Sequence, residues 1–259
     1  MGDGGAVVIV VFHSVSGSPG ASVWSVLAPG LWSSGKEAEH VVVEADLAGG
    51  VMGARYQVDA MTDLLMTEAR TWSPGSTITP SLFASKVADR VWLVPGPKTP
   101  EAATRLWHTE SGATSIADMA AVDRRVWLFD VGRATPSGVL GPLFAEAAMT
   151  VLFVRGYAEE LAKVRQRLVD LRATKSHITV AVTGNCVHSH DEVTEFLGTK
   201  HVSFLPDDGQ LIEDSRTVWA GRRGRRRGVW AAGAEFTANI DEVLAYSPRG
   251  EMRVVSEVS

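Results

Sequence analysis

A glycine-rich loop between an apolar segment and a segment that can form a helix constrains the fold of this chain most. The loop occupies residues 16–23 (SGSPGASV), directly after the apolar, β-branched run 6–12, and the helix-compatible stretch continues to about residue 31. Strand, glycine-rich turn and helix form a phosphate cradle, because glycines admit close approach of the backbone and the helix N–H groups face an anion. The sequence therefore predicts a phosphate-type loop. Its candidate residues are Gly17, Ser18, Gly20, Ala21 and Ser22.

The loop lacks the cation that a working phosphate loop uses. A complete loop of this type has a lysine that reaches the β- and γ-phosphates, followed by a Ser or Thr for Mg²⁺. Ser22 retains the hydroxyl, but Ala21 stands at the lysine position. The sequence therefore predicts a nucleotide-binding fold in which hydrolysis is impaired or absent. We expect no catalytic residue, no required cofactor, and at most weak binding of ATP and Mg²⁺.

Short apolar runs separated by helical patterns predict the fold class. Between two of them, residues 158–171 carry apolar side chains at 161, 164, 168 and 171, the spacing of one helix face. Continuous apolar runs are typical of strands covered on both faces, and their alternation with helices favours a parallel sheet. We predict an α/β sandwich with a mostly parallel sheet of about seven strands and helices on both faces. The runs are 7–12, 41–43, 91–94, 126–129, 151–154, 178–182 and 202–205.

Composition and charge favour one globular domain over residues 1–259, with 247–259 as a flexible tail. The chain is 45% hydrophobic with a net charge of −5, so its surface as a whole is not a nucleic-acid-binding one. The single Cys186 excludes an internal disulfide framework and suits a reducing compartment. Because no run of ~18 apolar residues occurs, we expect a cytoplasmic protein without membrane insertion.

Two carboxylates follow predicted strands. Asp46 comes just after the run 41–43, and Asp130 ends the run 126–129. Ligands of open α/β sheets bind beyond the carboxyl ends of the strands, where an Asp can support Mg²⁺ and its water. Each residue alone also fits a strand that simply leaves the core. Their order, together with the loop, indicates a nucleotide site.

Taken in this order, the segments resemble the MinD/ParA group of deviant-Walker-A P-loop ATPases of the SIMIBI class, which includes the pilus-positioning CpaE/TadZ-like proteins. Family members usually read K-G-G-x-G-K-T-T where this chain reads SGSPGASV. The resemblance covers about residues 6–244 and includes the segment 91–96 (VWLVPG) and Asp130 as the Walker B analogue. It implies a P-loop NTPase fold. Near the nucleotide base it places Asn185, Pro206 and Asp207.

Two departures from the family pattern remove positive charge. Ser16 replaces the signature lysine, which in the family reaches across a dimer to the partner's phosphates, and Ala21 replaces the ordinary one. Charge-assisted contacts contribute ~1.5–3 kcal/mol each, so two lost contacts weaken binding by roughly two to four orders of magnitude. The resemblance thus implies a pseudo-ATPase that acts through protein contacts as a positioning or regulatory subunit of a secretion, pilus or partition apparatus. The alternative is a weak ATPase or ATP-switched dimer.

An arginine-rich run is the densest charge cluster of the chain. It fits either a solvated loop before the last helix or a contact patch for nucleic acid or an acidic partner. The patch residues are Arg222, Arg223, Arg225, Arg226 and Arg227. Residues 188–192 predict a helix start capped by Ser189 or Asp191 rather than a metal site.

Eight tryptophans are many for a chain of this size. Trp92 and Trp127 lie in strand patterns and are predicted core residues, and Trp24, directly after the loop, is expected to crowd the site. The six tryptophans in helix or loop contexts are candidates for a surface that contacts a protein partner or a second copy of the chain, and we expect some of them to form it. These candidates are Trp24, Trp32, Trp72, Trp107, Trp219 and Trp230.

Overall fold

An eight-stranded sheet organises the chain. The computed structural model describes residues 8–17, 20–32, 38–109, 112–174, 176–206 and 227–245, and in the last segment the side chains of 231–242. The strands are β1 (Val8–Ser14), β2 (His40–Glu44), β3 (Ser85–Ala88), β4 (Val91–Val94), β5 (Val126–Asp130), β6 (Met149–Arg155), β7 (His177–Thr183) and β8 (Val202–Leu205). Their order is β3-β4-β2-β5-β1-β6-β7-β8, and neighbours are parallel except β3 with β4.

Helices cover both faces of this sheet. They are α1 (Ala21–Leu31), α2 (Met52–Tyr56), α3 (Thr62–Thr71), α4 (Pro100–Trp107), α5 (Gly112–Ala120), α6 (Gly141–Glu146), α7 (Ala158–Arg172), α8 (His190–Leu197) and α9 (Arg227–Ala245), with a short 3₁₀ turn at Pro80–Leu82. Side chains of α1, α2 and α9 form the core on one face, and those of α3 to α8 form the core on the other. None of the described helices combines the length and apolarity needed to cross a membrane.

Strand β1 shows why the sheet has two cores. Successive side chains of a strand point to opposite faces, so Val10 and Phe12 enter one core while Ile9 and Val11 enter the other. All four are 0–2% exposed. Such a strand must be apolar throughout, which is the pattern that predicts a sheet covered on both sides.

The predicted α/β sandwich with a mostly parallel sheet is confirmed, with one strand more than expected. The additional strand β3 forms an antiparallel edge hairpin with β4. Its sequence, SKVA, is partly exposed along its length and contains no apolar run, so no hydrophobic pattern identified it. The interval 247–259, predicted to be a tail, lies outside the described residues.

The tryptophans are distributed differently from the expectation. Trp127 is a core residue as predicted, whereas Trp92 is only partly buried. Three of the partner-surface candidates are 0–4% exposed and unavailable for contact: Trp24, Trp32 and Trp107. Trp24 and Trp32 are covered because α9 packs over α1. Trp72 is partly buried, and two side chains lie outside the described part: Trp219 and Trp230.

Candidate functional site

The candidate site lies at the carboxyl edge of the sheet, where β1, β5 and β2 end side by side. After β1 the chain turns and enters α1, whose N-cap is Gly20 with φ +90°. A φ in this region favours glycine, because other residues place Cβ against the backbone there. The amides of Val23 and Trp24 donate to the Gly20 carbonyl at 3.0 and 2.9 Å. The predicted strand–turn–helix unit is therefore present. Two of its residues, Ser18 and Pro19, lie outside the described part.

The first turn of α1 has the geometry of an anion site without its cation. The first N–H groups of a helix have no acceptor one turn earlier and carry partial positive charge; in α1 the amides of Val23 and Trp24 already donate to Gly20, so those of Ala21 and Ser22 are the ones that could face an anion. Ala21, the first helical residue, is 5% exposed and has a methyl group where a phosphate loop has an ammonium group. In the loop before it, the Ser16 hydroxyl is buried with no hydrogen-bond partner among the described residues, and Gly17 is exposed.

Asp130, the last residue of β5, is fully buried beneath this turn. Its Oδ1 accepts a hydrogen bond from the Gly132 amide at 3.2 Å, whereas no described donor lies within hydrogen-bond distance of Oδ2. Burial raises the pKa of Asp130 to about 7, and the Glu44 and Asp46 charges also raise it, while the Ser22 hydroxyl and the Gly132 amide oppose the shift. The charged groups that act on Asp130 are thus carboxylates, and close to neutral pH it is only partly ionised.

Asp46 follows β2 and lies directly against the turn after β5. Its Oδ1 accepts from the amide of Ala48 at 2.8 Å. Gly132, with φ +56°, leaves room for it, since a methyl group at this position would overlap the Asp46 carboxyl group. The two predicted strand-end carboxylates, Asp46 and Asp130, are therefore brought to the same edge, on either side of Gly132.

Glu44 has a structural role that the sequence interpretation missed. It is 1% exposed and accepts hydrogen bonds from the amides of Val51 at 2.6 Å, Met52 at 3.0 Å and Gly96 at 3.0 Å. Burial raises the pKa of Glu44, and these amide donors oppose the increase. Glu44 thereby ties the start of α2 and the turn after β4 to the end of β2. The Gly96 amide is far from Glu44 along the chain, so this contact leaves no local sequence signal.

His13 is a second buried polar residue without a sequence signal. Its Nδ1 lies 3.2 Å from the Gly132 carbonyl and donates to it, and the Ser14 amide donates to the same oxygen at 2.8 Å. Burial lowers the pKa of His13 to about 3, the charge of Arg167 lowers it further, and the bond to Gly132 opposes the shift. His13 is therefore a neutral donor that joins the end of β1 to the turn after β5.

The predicted base-side residues follow β7 and β8, at the same edge but on the other side of the loop. Asn185 is exposed, Pro206 is partly buried, and the amide of Gly184 donates to the Leu205 carbonyl at 2.9 Å between the two turns. Because neighbouring strands lie about 4.8 Å apart, β7 is about 10 Å from β1. Asp207 lies outside the described residues.

Other sequence candidates lie elsewhere. Helix α8 begins as predicted with Ser189 as N-cap, in a capping box with Glu192. Within the described ranges, no group of three His, Cys, Asp or Glu side chains is arranged to hold a metal ion. Four residues of the arginine patch lie outside the described part: Arg222, Arg223, Arg225 and Arg226. The fifth, Arg227, begins α9, and its side chain is not described. Trp24 contacts the loop, but from the core side.

Several solved structures superpose on this chain over most of its length, and they include ATPases of the ParA and MinD type. The ParA family ATPase from Chlorobium tepidum TLS superposes with a TM-score of 0.73 at 12% identity, covering 90% of this chain and 99% of that one. The septum site-determining protein MinD from Pyrococcus horikoshii OT3, solved with Mg-ADP, gives 0.67 at 12% identity, covering 91% and 96%. The MinC:MinD cell division complex from Aquifex aeolicus gives 0.64 at 12% identity, covering 91% and 96%.

These comparisons establish the fold of the chain: it is that of the ParA and MinD ATPases. No family model and no curated protein sequence matches.

Proposed function

We propose that this chain is a catalytically degenerate protein of the ParA/MinD fold, which acts in the cytoplasm as a positioning or regulatory subunit through protein–protein contacts. The observation that carries the proposal is Ala21. It occupies the first helical position of the loop, buried and uncharged, while the helix N-terminus around it keeps its geometry. A glycine turn that starts a helix without a cation at this position is suited to recognition more than to phosphoryl transfer.

The local charge supports this proposal. Phosphoryl transfer depends on positive groups that neutralise the charge developing on the phosphates. The described loop residues 16–17 and 20–23 include no Lys or Arg, and the nearby charged groups that act on Asp130 are the carboxylates of Glu44 and Asp46. Within the described loop residues, a triphosphate would therefore meet helix N–H groups and the Ser22 hydroxyl but no cation, with the carboxylates of Glu44 and Asp46 nearby.

The proposed mode of action is contact with a protein partner or a second copy of the chain. A solved structure with this fold is the MinC:MinD complex, in which MinD is bound to another protein. Another solved structure with this fold is that of a plasmid partition protein from Borrelia burgdorferi, and a partition, pilus or secretion apparatus is the setting that we propose for this chain. Nucleic-acid contact through the arginine-rich run is a further part of the proposal.

A second candidate function is a weak ATPase or an ATP-switched dimer, and the state of Asp130 favours it. A fully buried carboxyl oxygen without a partner, facing Ser22, fits a magnesium site. Ser22 and Asp130 would hold the ion, and the ion would supply positive charge to the β- and γ-phosphates. The protein's own residues would orient the phosphates through the first-turn N–H groups of α1.

Restoring the lysine tests the proposal. Ala21→Lys adds one charge-assisted contact of ~1.5–3 kcal/mol, so the affinity for ATP–Mg²⁺, measured by calorimetry, is expected to increase roughly 10- to 150-fold. Ala173→Lys, which adds the same charge at the exposed C-cap of α7, is the matched control and leaves the affinity unchanged. Equal affinities for Ala21→Lys and the natural chain would show that the loop is no longer a phosphate cradle.

A further inference from the structure

The side chain of Trp24 connects the loop to the last described helix. Its indole ring is 0% exposed and lies between two glycines, Gly20 of the loop and Gly233 of α9. A methyl group at Gly20 would lie 3.3 Å from Cδ1 of the ring, and one at Gly233 would lie 3.2 Å from Cζ3. Both distances are tighter than ordinary carbon contacts. The ring therefore fills the space between the loop and α9, and no room for an added methyl group remains at Gly20 or Gly233.

On the α9 side, aromatic contacts hold the ring. Phe236 of α9 lies edge-on to Trp24 with 6.0 Å between ring centroids, and it also contacts Phe12 of β1 at 6.5 Å and Phe153 of β6 at 6.2 Å. Phe236 is 0% exposed. Edge-to-face pairs at these separations stabilise beyond the area that they bury. The position of Trp24 thus depends on α9 being packed against the sheet.

Two hydrogen bonds fix α9 along the rest of α1. The Thr237 hydroxyl donates to the Leu31 carbonyl at 3.2 Å, and the indole N–H of Trp32 donates to Asp241 at 2.5 Å. Helix α1 is consequently enclosed between the sheet and α9, which explains why eight of its residues are buried. A movement of α9 therefore changes the surroundings of α1 from its first turn to its C-cap.

On the loop side, the same ring supports the turn that starts α1. Gly20 adopts φ +90°, and its carbonyl accepts from the amides of Val23 and Trp24. These two amides belong to the first turn, where a helix frays most readily without tertiary packing. The Trp24 indole below Gly20 supplies this tertiary packing for the first turn of α1.

We propose that Trp24 is a positioning residue through which the packing of α9 sets the conformation of the loop at Gly20. Docked α9 holds the ring under Gly20 and keeps the first turn closed, and displacement of α9 opens that turn. Ligand occupancy of the loop and docking of α9 are then reciprocally coupled. This inference rests on the proposed function only in treating the loop as the ligand-binding part, and the coupling itself is measurable without ligand.

Hydrogen exchange of the full-length protein, without nucleotide, tests the coupling. Phe236→Leu weakens the contact of α9 with Trp24, and Phe83→Leu is the matched control, because Phe83 is also 0% exposed but stacks on Trp127 in the opposite core. The amides of Val23 and Trp24 are expected to exchange roughly tenfold faster in Phe236→Leu than in Phe83→Leu, after comparison with the amides of β5 as a measure of global stability.

Equal exchange at Val23 and Trp24 in the two variants would overturn the proposal. Should Phe236→Leu fail to fold, Gly233→Ala takes its place, since the added methyl group presses on Trp24 and Leu31 from α9 and is expected to give the same local increase. Faster exchange at β5 alone, with an unchanged first turn, would mean that the ring serves stability only. None of these outcomes depends on whether ATP binds, so the exchange experiment can fail while the proposed function, which ATP titration tests, still holds.

Discussion

Asp130→Asn is expected to stabilise the protein above neutral pH. The carboxyl group is fully buried and its pKa is raised to about 7 from an ordinary 3.8, chiefly by burial. Each pKa unit corresponds to about 1.4 kcal/mol, so ionisation of Asp130 costs the folded state ~4 kcal/mol. Since the folded state binds this proton more tightly than the unfolded state, the cost is absent below about pH 4, increases as the pH rises, and is complete above about pH 7.

Urea unfolding at pH 5 and pH 8 measures this effect. The stability of Asp130→Asn relative to the natural chain is expected to be larger at pH 8 than at pH 5, by up to ~3 kcal/mol. Taking the difference between the two proteins cancels the titration of other buried groups, such as His13. Asp89→Asn, which removes a carboxylate whose side chain is 89% exposed, is the control and should differ from the natural chain by less than ~0.5 kcal/mol. A variant that is less stable than the natural chain at pH 8 would refute the reasoning, because the hydrogen bonds from Ser22 and Gly132 would then outweigh the cost of burying the charge.

Two further outcomes are expected. The mass measured by light scattering should be the same with and without millimolar ATP–Mg²⁺ at matched protein concentration, because Ser16 stands where the resembled family has its dimer-bridging lysine. A mass that doubles only with ATP would instead favour an ATP-switched dimer. Gly132→Ala should lower the free energy of unfolding by ~2 kcal/mol or more, because φ is +56° and the new methyl group overlaps the Asp46 carboxyl group. Thermal melting checks this, and a loss below ~0.5 kcal/mol would show that Asp46 moves away freely.

The sheet could be predicted because its strands are buried on both faces. Runs such as 126–129 must be apolar at every position, and that signal is local. Edge strand β3 needs no such run and was not predicted. Likewise β1 continues two residues past the apolar run to Ser14, because its polar end is paired with the Gly132 carbonyl.

The candidate site could be predicted only where it follows strand ends. The order of segments along the chain predicted that the loop at Gly20 and the carboxylates Asp46 and Asp130 lie at one edge of the sheet. The roles of Glu44 and His13 could not be predicted, because their partners are distant in sequence: the Glu44 carboxyl group accepts from the Gly96 amide, and His13 donates to the Gly132 carbonyl. For the same reason the burial of Trp24 by α9 left no trace in the local pattern.

Calorimetric titration of the natural chain with ATP–Mg²⁺ tests the central claim most directly. The described part of the loop starts α1 at Gly20 with φ +90°, carries an alanine at the first helical position, and lies near the carboxylates of Asp130, Glu44 and Asp46. From the loss of two charge-assisted contacts, we predict a dissociation constant above roughly 100 µM. A constant in the low-micromolar range would contradict the account, because it would mean that the site binds a triphosphate tightly without either lysine.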